Sequence, residues 1–170
     1  MQKYELTNDS IEHLGKTLYR IRALVGIPNQ GVQKGNLGGF LESEENLSQE
    51  GNCWVGGNAL VYGNARVFGN AHVSGKAQVF GTAKIFEKAR VADYSKVYGK
   101  STVSGHGEVF GYAQVFGNAK VFEEARIFDH SKVYGNTEFF GNARISGKAE
   151  IFGKEKVTDA VHVLREYTPN

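Results

Sequence analysis

Residues 61–86 read VYGNARVFGNAHVSGKAQVFGTAKIF. A Val or Ile returns every sixth residue, a small residue follows it four places later, and an aromatic often sits immediately after it. The same frame extends outward from Val55 to His162 as eighteen uninterrupted hexads. The first position is Val or Ile in every hexad except at Phe139, and the fifth is Ala, Ser, Gly or Thr until Glu155 and Val161. The third is Gly in thirteen hexads, with Glu or Asp in the other five. A period of six fits neither an amphipathic helix nor a simple strand alternation. It predicts short strands joined by regular bends, each strand turning one branched and one small side chain inward. Glycine then stands where the backbone needs freedom to bend.

This pattern resembles the hexapeptide repeat of left-handed parallel β-helices, in which three hexads make one triangular coil. The resemblance covers 55–162 and implies an all-β fold of about six coils. Its left hand comes from the resemblance, since ordinary crossover connections favour the right. Strands stacked at β spacing would make a prism about 29 Å tall. Its core would be a column of Val and Ile, each contributing roughly 1.5–3 kcal/mol on burial. Stacked coils leave two ends that need caps.

Residues 1–54 are expected to form the N-terminal cap and an irregular first coil. KTLYRIRALV (16–25) alternates Tyr19, Ile21 and Ala23 against Arg20 and Arg22, which predicts a strand with one buried face. The stretch from Gly26 to Gly39 reads as a loop, and the acidic run at Glu42, Glu44 and Glu45 as a solvated one. Extending the frame backward puts Cys53 at a small fifth position, where it should stand buried in place of alanine, with Trp54 packing the cap onto the first coil. Residues 163–170 read as a short end strand and tail.

The chain has 170 residues and a net charge of +2, too balanced to announce a nucleic acid or a membrane as partner. One cysteine permits no internal disulfide. MQKYELTNDS lacks the basic start and apolar run of a signal peptide, and no apolar stretch is long enough to span a bilayer. A cytoplasmic protein is expected.

Cap and repeat together carry a closer likeness. YELTNDSIEHLGKTLYRIRALV, then GNLGGFLESEENLSQEGNCWV, then VYGNA units resemble the YdcK-like proteins of bacteria and of phage and prophage genomes, termed transferases by fold analogy. The hexapeptide acyltransferases of this fold imply a histidine base and a coenzyme A thioester bound between subunits of a trimer. Those enzymes usually interrupt a coil with a loop that builds the cleft, and no hexad is interrupted here. His72 and His106 are the candidate bases, both at positions that should face solvent, as should His130. No His, Asp or Glu grouping has metal-ligand spacing. Glu87 and Glu123, which replace the turn glycine, are expected to pair with Arg90 and Arg126 three residues on.

The second positions carry the clearest functional signal. One side of the prism reads Tyr62, Phe80, Tyr98, Phe116, Tyr134, Phe152, aromatic at every level. These rings are expected to form an exposed ladder that contacts a second copy or another protein. Another side carries Arg90, Arg126 and Arg144 in one column, suited to an acidic partner, while nucleic acid is disfavoured by the sparse Lys and Arg. The leading expectation is therefore a non-enzymatic binding or scaffold protein, a homo-oligomer with no cofactor. The resemblance to phage-borne relatives implies a host protein, such as a defence component, as its target. The alternative is the acyltransferase.

Overall fold

The computed structural model describes residues 2–158. The predicted tail at 163–170, and the last hexad positions including His162, lie outside them. Three strands open the chain: β1 (Tyr4–His13), β2 (Lys16–Ala23) and β3 (Leu37–Leu41). Eighteen two-residue strands follow, from β4 (Trp54–Val55) to β21 (Lys156–Val157). Each consists of a hexad's first position and the residue before it, and pairs in parallel with the strand eighteen residues away, as Val55, Val73 and Val91 do. The result is an all-β parallel solenoid of about seven turns with three sheets as its faces. We name the faces by the residues that begin their columns, Val55, Val61 and Val67.

The core follows the hexad rule. The Val and Ile column and the alanines of the fifth position are buried through the regular coils, and only Val157, at the lower end, is partly exposed. Where Ser95, Ser101, Ser131 and Thr137 stand in for alanine, each hydroxyl donates to a carbonyl three residues back, as Ser131 Oγ does to Phe128 O at 2.6 Å. A polar group is thus buried without being orphaned. Seventeen of the described glycines have positive φ, nearly all at the turn position.

The solenoid begins earlier than the repeat does. Leu41 pairs with Val61 and Leu47 bridges to Val67, so the Val61 and Val67 columns already exist above the first regular hexad. The spacing there is twenty residues, and it returns to eighteen at Val55, so the two extra residues lie between Leu47 and Val55. The loop expected up to Gly39 ends sooner, because Gly38 and Gly39 lie inside β3. A Cβ at either would come within 2.5 Å of a carbonyl, Val55 O or Ala59 O. These glycines serve a close backbone approach and not a bend.

β1 and β2 form an antiparallel hairpin that continues the Val61 sheet to nine strands. β2 does not bury one face only. Ile21 and Ala23 join the solenoid core, Leu18 is buried on the opposite side against Phe40 and Tyr62, and Tyr19 remains exposed. The end of the core is closed by Tyr4, fully buried with its hydroxyl donating to Leu47 O at 2.6 Å, and by Lys3. Lys3 is only 5% exposed, and its ammonium donates to Glu50 O, Gly51 O and Cys53 Sγ. Cys53 is buried at its expected core position, and burial pushes its thiol pKa up despite the neighbouring Lys3. Trp54 is buried beneath β3, with its ring against Gly38.

Candidate functional site

Parallel strands in register stack identical positions directly over one another, so each hexad position becomes a column of side chains. The second position yields aromatic stacks on all three sides. Phe68 stacks on Phe86, Phe110 on Phe128 and Phe122 on Phe140, with centroids 5.0, 5.0 and 5.2 Å apart. Only the Val61 side is continuous. There the rings from Tyr62 to Phe152 stand 4.6–5.2 Å apart and within 12° of parallel.

The ladder differs from the exposed one expected. Tyr62 is 5% exposed, enclosed by Leu18, Phe40 and Leu60, with His13 edge-on at 5.2 Å. Phe80, Tyr98, Phe116, Tyr134 and Phe152 are half-buried, because each ring covers its neighbours' faces and leaves mainly an edge to water. Two hydroxyls are anchored one coil on, Tyr98 Oη to Gln114 Oε1 at 3.4 Å and Tyr134 Oη to Glu150 Oε1 at 2.8 Å. Burial raises the Tyr98 phenol pKa, and the Glu150 carboxylate raises that of Tyr134. Below the hairpin the ladder is therefore an aromatic stripe edged by Gln114, Lys96, Lys132 and Glu150.

A second aromatic column escaped the sequence reading because it falls at the fourth position. Tyr94 stacks on Tyr112 at 4.9 Å and Tyr112 on His130 at 4.8 Å, with the Lys76 ammonium 5.2 Å from the Tyr94 ring. Tyr94 and Tyr112 are 47% and 52% exposed, more than any ring of the ladder. The signal is in the sequence, where the eighteen-residue spacing that aligns the ladder at second positions aligns Tyr94, Tyr112 and His130 at fourth positions.

The acidic turn residues also behave differently from expectation. Glu87, Asp93, Glu123 and Asp129 all have φ between 56° and 59°, the left-handed region normally left to glycine. Their carboxylates do not reach Arg90 or Arg126. Each accepts the backbone N–H of the glycine one coil below: Gly105, Gly111, Gly141 or Gly147. Glu42 does the same for Gly63 at 2.6 Å while pairing with Lys16, so this member of the acidic run is engaged, and its pKa is held down by both partners.

The Val55 face carries the basic column and both candidate bases. Trp54, His72, Arg90, Glu108, Arg126 and Arg144 stack in register along its strands. Beside them the corner positions Asn70, Lys88, His106 and Glu124 rise as a wall, and Asn29 and Gln30 of the cap loop close the top. The trough, open to solvent along one side, has a volume of about 530 Å³ and brings together His72, His106, Arg90 and Arg126. Arg144 lies below it. Gln30 Nε2 donates to Asn70 O at 3.0 Å and pins the loop to the coil. Arg126 is paired with Glu108 at 3.0 Å.

His72 does not simply face solvent. It is half-buried, its Nδ1 is buried without a partner, and burial together with Arg90 lowers its pKa, so the imidazole is neutral at pH 7. His106 and His130 are exposed, as expected. Among the described residues no three His, Cys, Asp or Glu side chains are grouped to hold a metal ion, and no helix is long and apolar enough to cross a membrane.

Comparison with known proteins agrees with the repeat. The family model of the YdcK β-solenoid repeat matches residues 61–75. No curated protein matches the chain.

Proposed function

We propose that this YdcK-type β-solenoid is a non-enzymatic binding scaffold that assembles with further copies of itself through the aromatic side of its Val61 face. The observation that carries this reading is the unbroken stack from Tyr62 to Phe152, the only aromatic column present in all six regular coils. The chain itself illustrates how such rings are covered, since Leu18, Phe40 and Leu60 enclose Tyr62 at the top of the same face. Below that cluster no described residue lies over the rings, and an aromatic stripe with a polar border has the anatomy of a protein interface. The six coil strands of this face, at about 4.8 Å spacing and a width of roughly 20 Å, present roughly 600 Å², one partner's share of a small interface.

The likeness to relatives in bacterial, phage and prophage genomes extends the proposal. Assembled solenoids would act in the cytoplasm of a bacterial cell, and a host protein, such as a component of its defence, would be the partner. Acyl transfer from a coenzyme A thioester gains no specific support. His72 and His106 stand two coils apart, and Nδ1 of His72 has no carboxylate to orient the ring as a general base requires. The test is the solution mass of the protein, with acetyl-coenzyme A added in a parallel melting experiment. The scaffold reading expects an oligomer and an unchanged melting temperature, whereas a thioester-dependent rise would favour the enzyme.

A further inference from the structure

We propose that the upper half of the Val55-face trough binds the phosphate group of a small phosphorylated ligand, with Lys88 and Arg90 as its two cationic anchors. The site is independent of the aromatic ladder, which belongs to another face.

The argument starts from charge. The two carboxylates nearest the trough floor and wall are Glu108 and Glu124, and Glu108 is committed to Arg126 at 3.0 Å. The side chains of Lys88 and Arg90 have no hydrogen-bond or ion-pair partner among the described residues, while their backbone N–H groups bond to Gly105 O and Gly107 O. The hexad frame places them two residues apart, one on the wall and one on the floor of the same concavity. Two cations two residues apart in one trough repel one another, and an anion bound beside both relieves that repulsion.

The surrounding groups are those an oxyanion needs. His72 lies one coil above Arg90, and as a neutral imidazole it is able to donate a hydrogen bond. The side-chain amides of Asn29, Gln30 and Asn70 close the top of the trough and supply further donors. A guanidinium grips two oxygens of a phosphate at once, while an ammonium acts as a point charge, so Arg90 fixes orientation and Lys88 adds affinity. A volume near 530 Å³ exceeds what one phosphate fills, which leaves room beside it for the organic part of an ester. The lower half, where Glu124 adds a carboxylate to the Glu108–Arg126 pair, is net acidic and would face the hydroxyl or amino groups of that part.

The test titrates inorganic phosphate and pyrophosphate into the full-length protein at constant ionic strength, followed by calorimetry. Wild type is compared with Lys88→Gln, Arg90→Gln and, as a control on the same face outside the trough, Arg144→Gln. Circular dichroism confirms that each variant keeps its β-solenoid. Saturable binding is expected, weakened at least tenfold by Arg90→Gln, less by Lys88→Gln, and unchanged by Arg144→Gln. Absence of saturable binding overturns the proposal. So does equal weakening by Arg144→Gln, since the face would then attract anions only by its general charge. A single-stranded oligonucleotide that binds more tightly than pyrophosphate and is sensitive to Arg144→Gln would assign the face to a polyanion, and would also overturn it.

Discussion

The carboxylate of Glu123 accepts the backbone N–H of Gly141, eighteen residues and one coil away, at 2.7 Å. Glu123 holds φ 56° to do so, a conformation that disfavours any side chain. Its column reads Gly69, Glu87, Gly105, Glu123, Gly141, so every acid has glycine above and below. Two acids in consecutive coils would place like charges about 5 Å apart and leave no glycine N–H to share. Glu123→Ala keeps the strained φ and loses the bond, and should destabilise by about 1–2 kcal/mol. Glu123→Gly loses the bond but relieves the strain, and should lie within about 1 kcal/mol of wild type. Urea unfolding of the two variants checks the order. Equal losses would mean the carboxylate does not cap the turn.

Turn glycines in the solenoid should be far less replaceable than the glycine of the hairpin. Gly117 and Gly15 have φ of 69° and 76°, so alanine is strained at both by about 1–2 kcal/mol. At Gly15 a Cβ meets nothing within 4 Å, whereas at Gly117 it would lie 2.9 Å from Gly135 N. That neighbour is backbone in a stacked coil and would have to shift to admit it. Gly117→Ala should therefore cost at least about 1 kcal/mol more than Gly15→Ala, measured by the shift in denaturation midpoint.

Acid should weaken the fold in two steps, and the direction follows from linkage. The folded-state pKa of His72 is lowered from 6.5, chiefly by burial, so its share of stability is complete above pH 6.5 and is lost as pH falls toward the folded value. The pKa of Glu42 is lowered from 4.5 by Lys16 and the Gly63 N–H, so its share holds above pH 4.5 and disappears below. His72→Gln should flatten the first decline and Glu42→Gln the second, read from melting temperature between pH 3 and pH 8. Identical pH profiles for wild type and His72→Gln would contradict the burial of that imidazole.

How much of this was legible beforehand depends on whether a feature repeats. The hexad frame predicts the buried Val and Ile column and the core position of Cys53, because the same local geometry recurs throughout, and the resemblance that the repeat carries implies the parallel stacking. Features that break the frame were not legible. Gly38 and Gly39 read as a loop, since a sequence does not distinguish a glycine that bends from one that admits a neighbouring backbone. Glu87 and Glu123 read as partners of Arg90 and Arg126 on sequence proximity, whereas their actual partners lie a full coil away. Tyr62 belongs to the repeat, yet the hairpin of β1 and β2 buries it, and no periodicity within 55–162 encodes that contact. The gathering of His72, Arg90 and His106 into one trough follows from the frame, but its closure by Asn29 and Gln30 depends on the irregular cap.

Solution mass by multi-angle light scattering tests the scaffold account most directly, on wild type and on the double variant Tyr98→Glu, Phe116→Glu at tens of micromolar. Both substitutions fall on half-buried rings of the ladder and leave the core column intact. The account predicts a wild-type mass at a multiple of 18.6 kDa and a folded, monomeric variant. A wild type that runs as an 18.6 kDa monomer, or an oligomer that both substitutions leave unchanged, would contradict it.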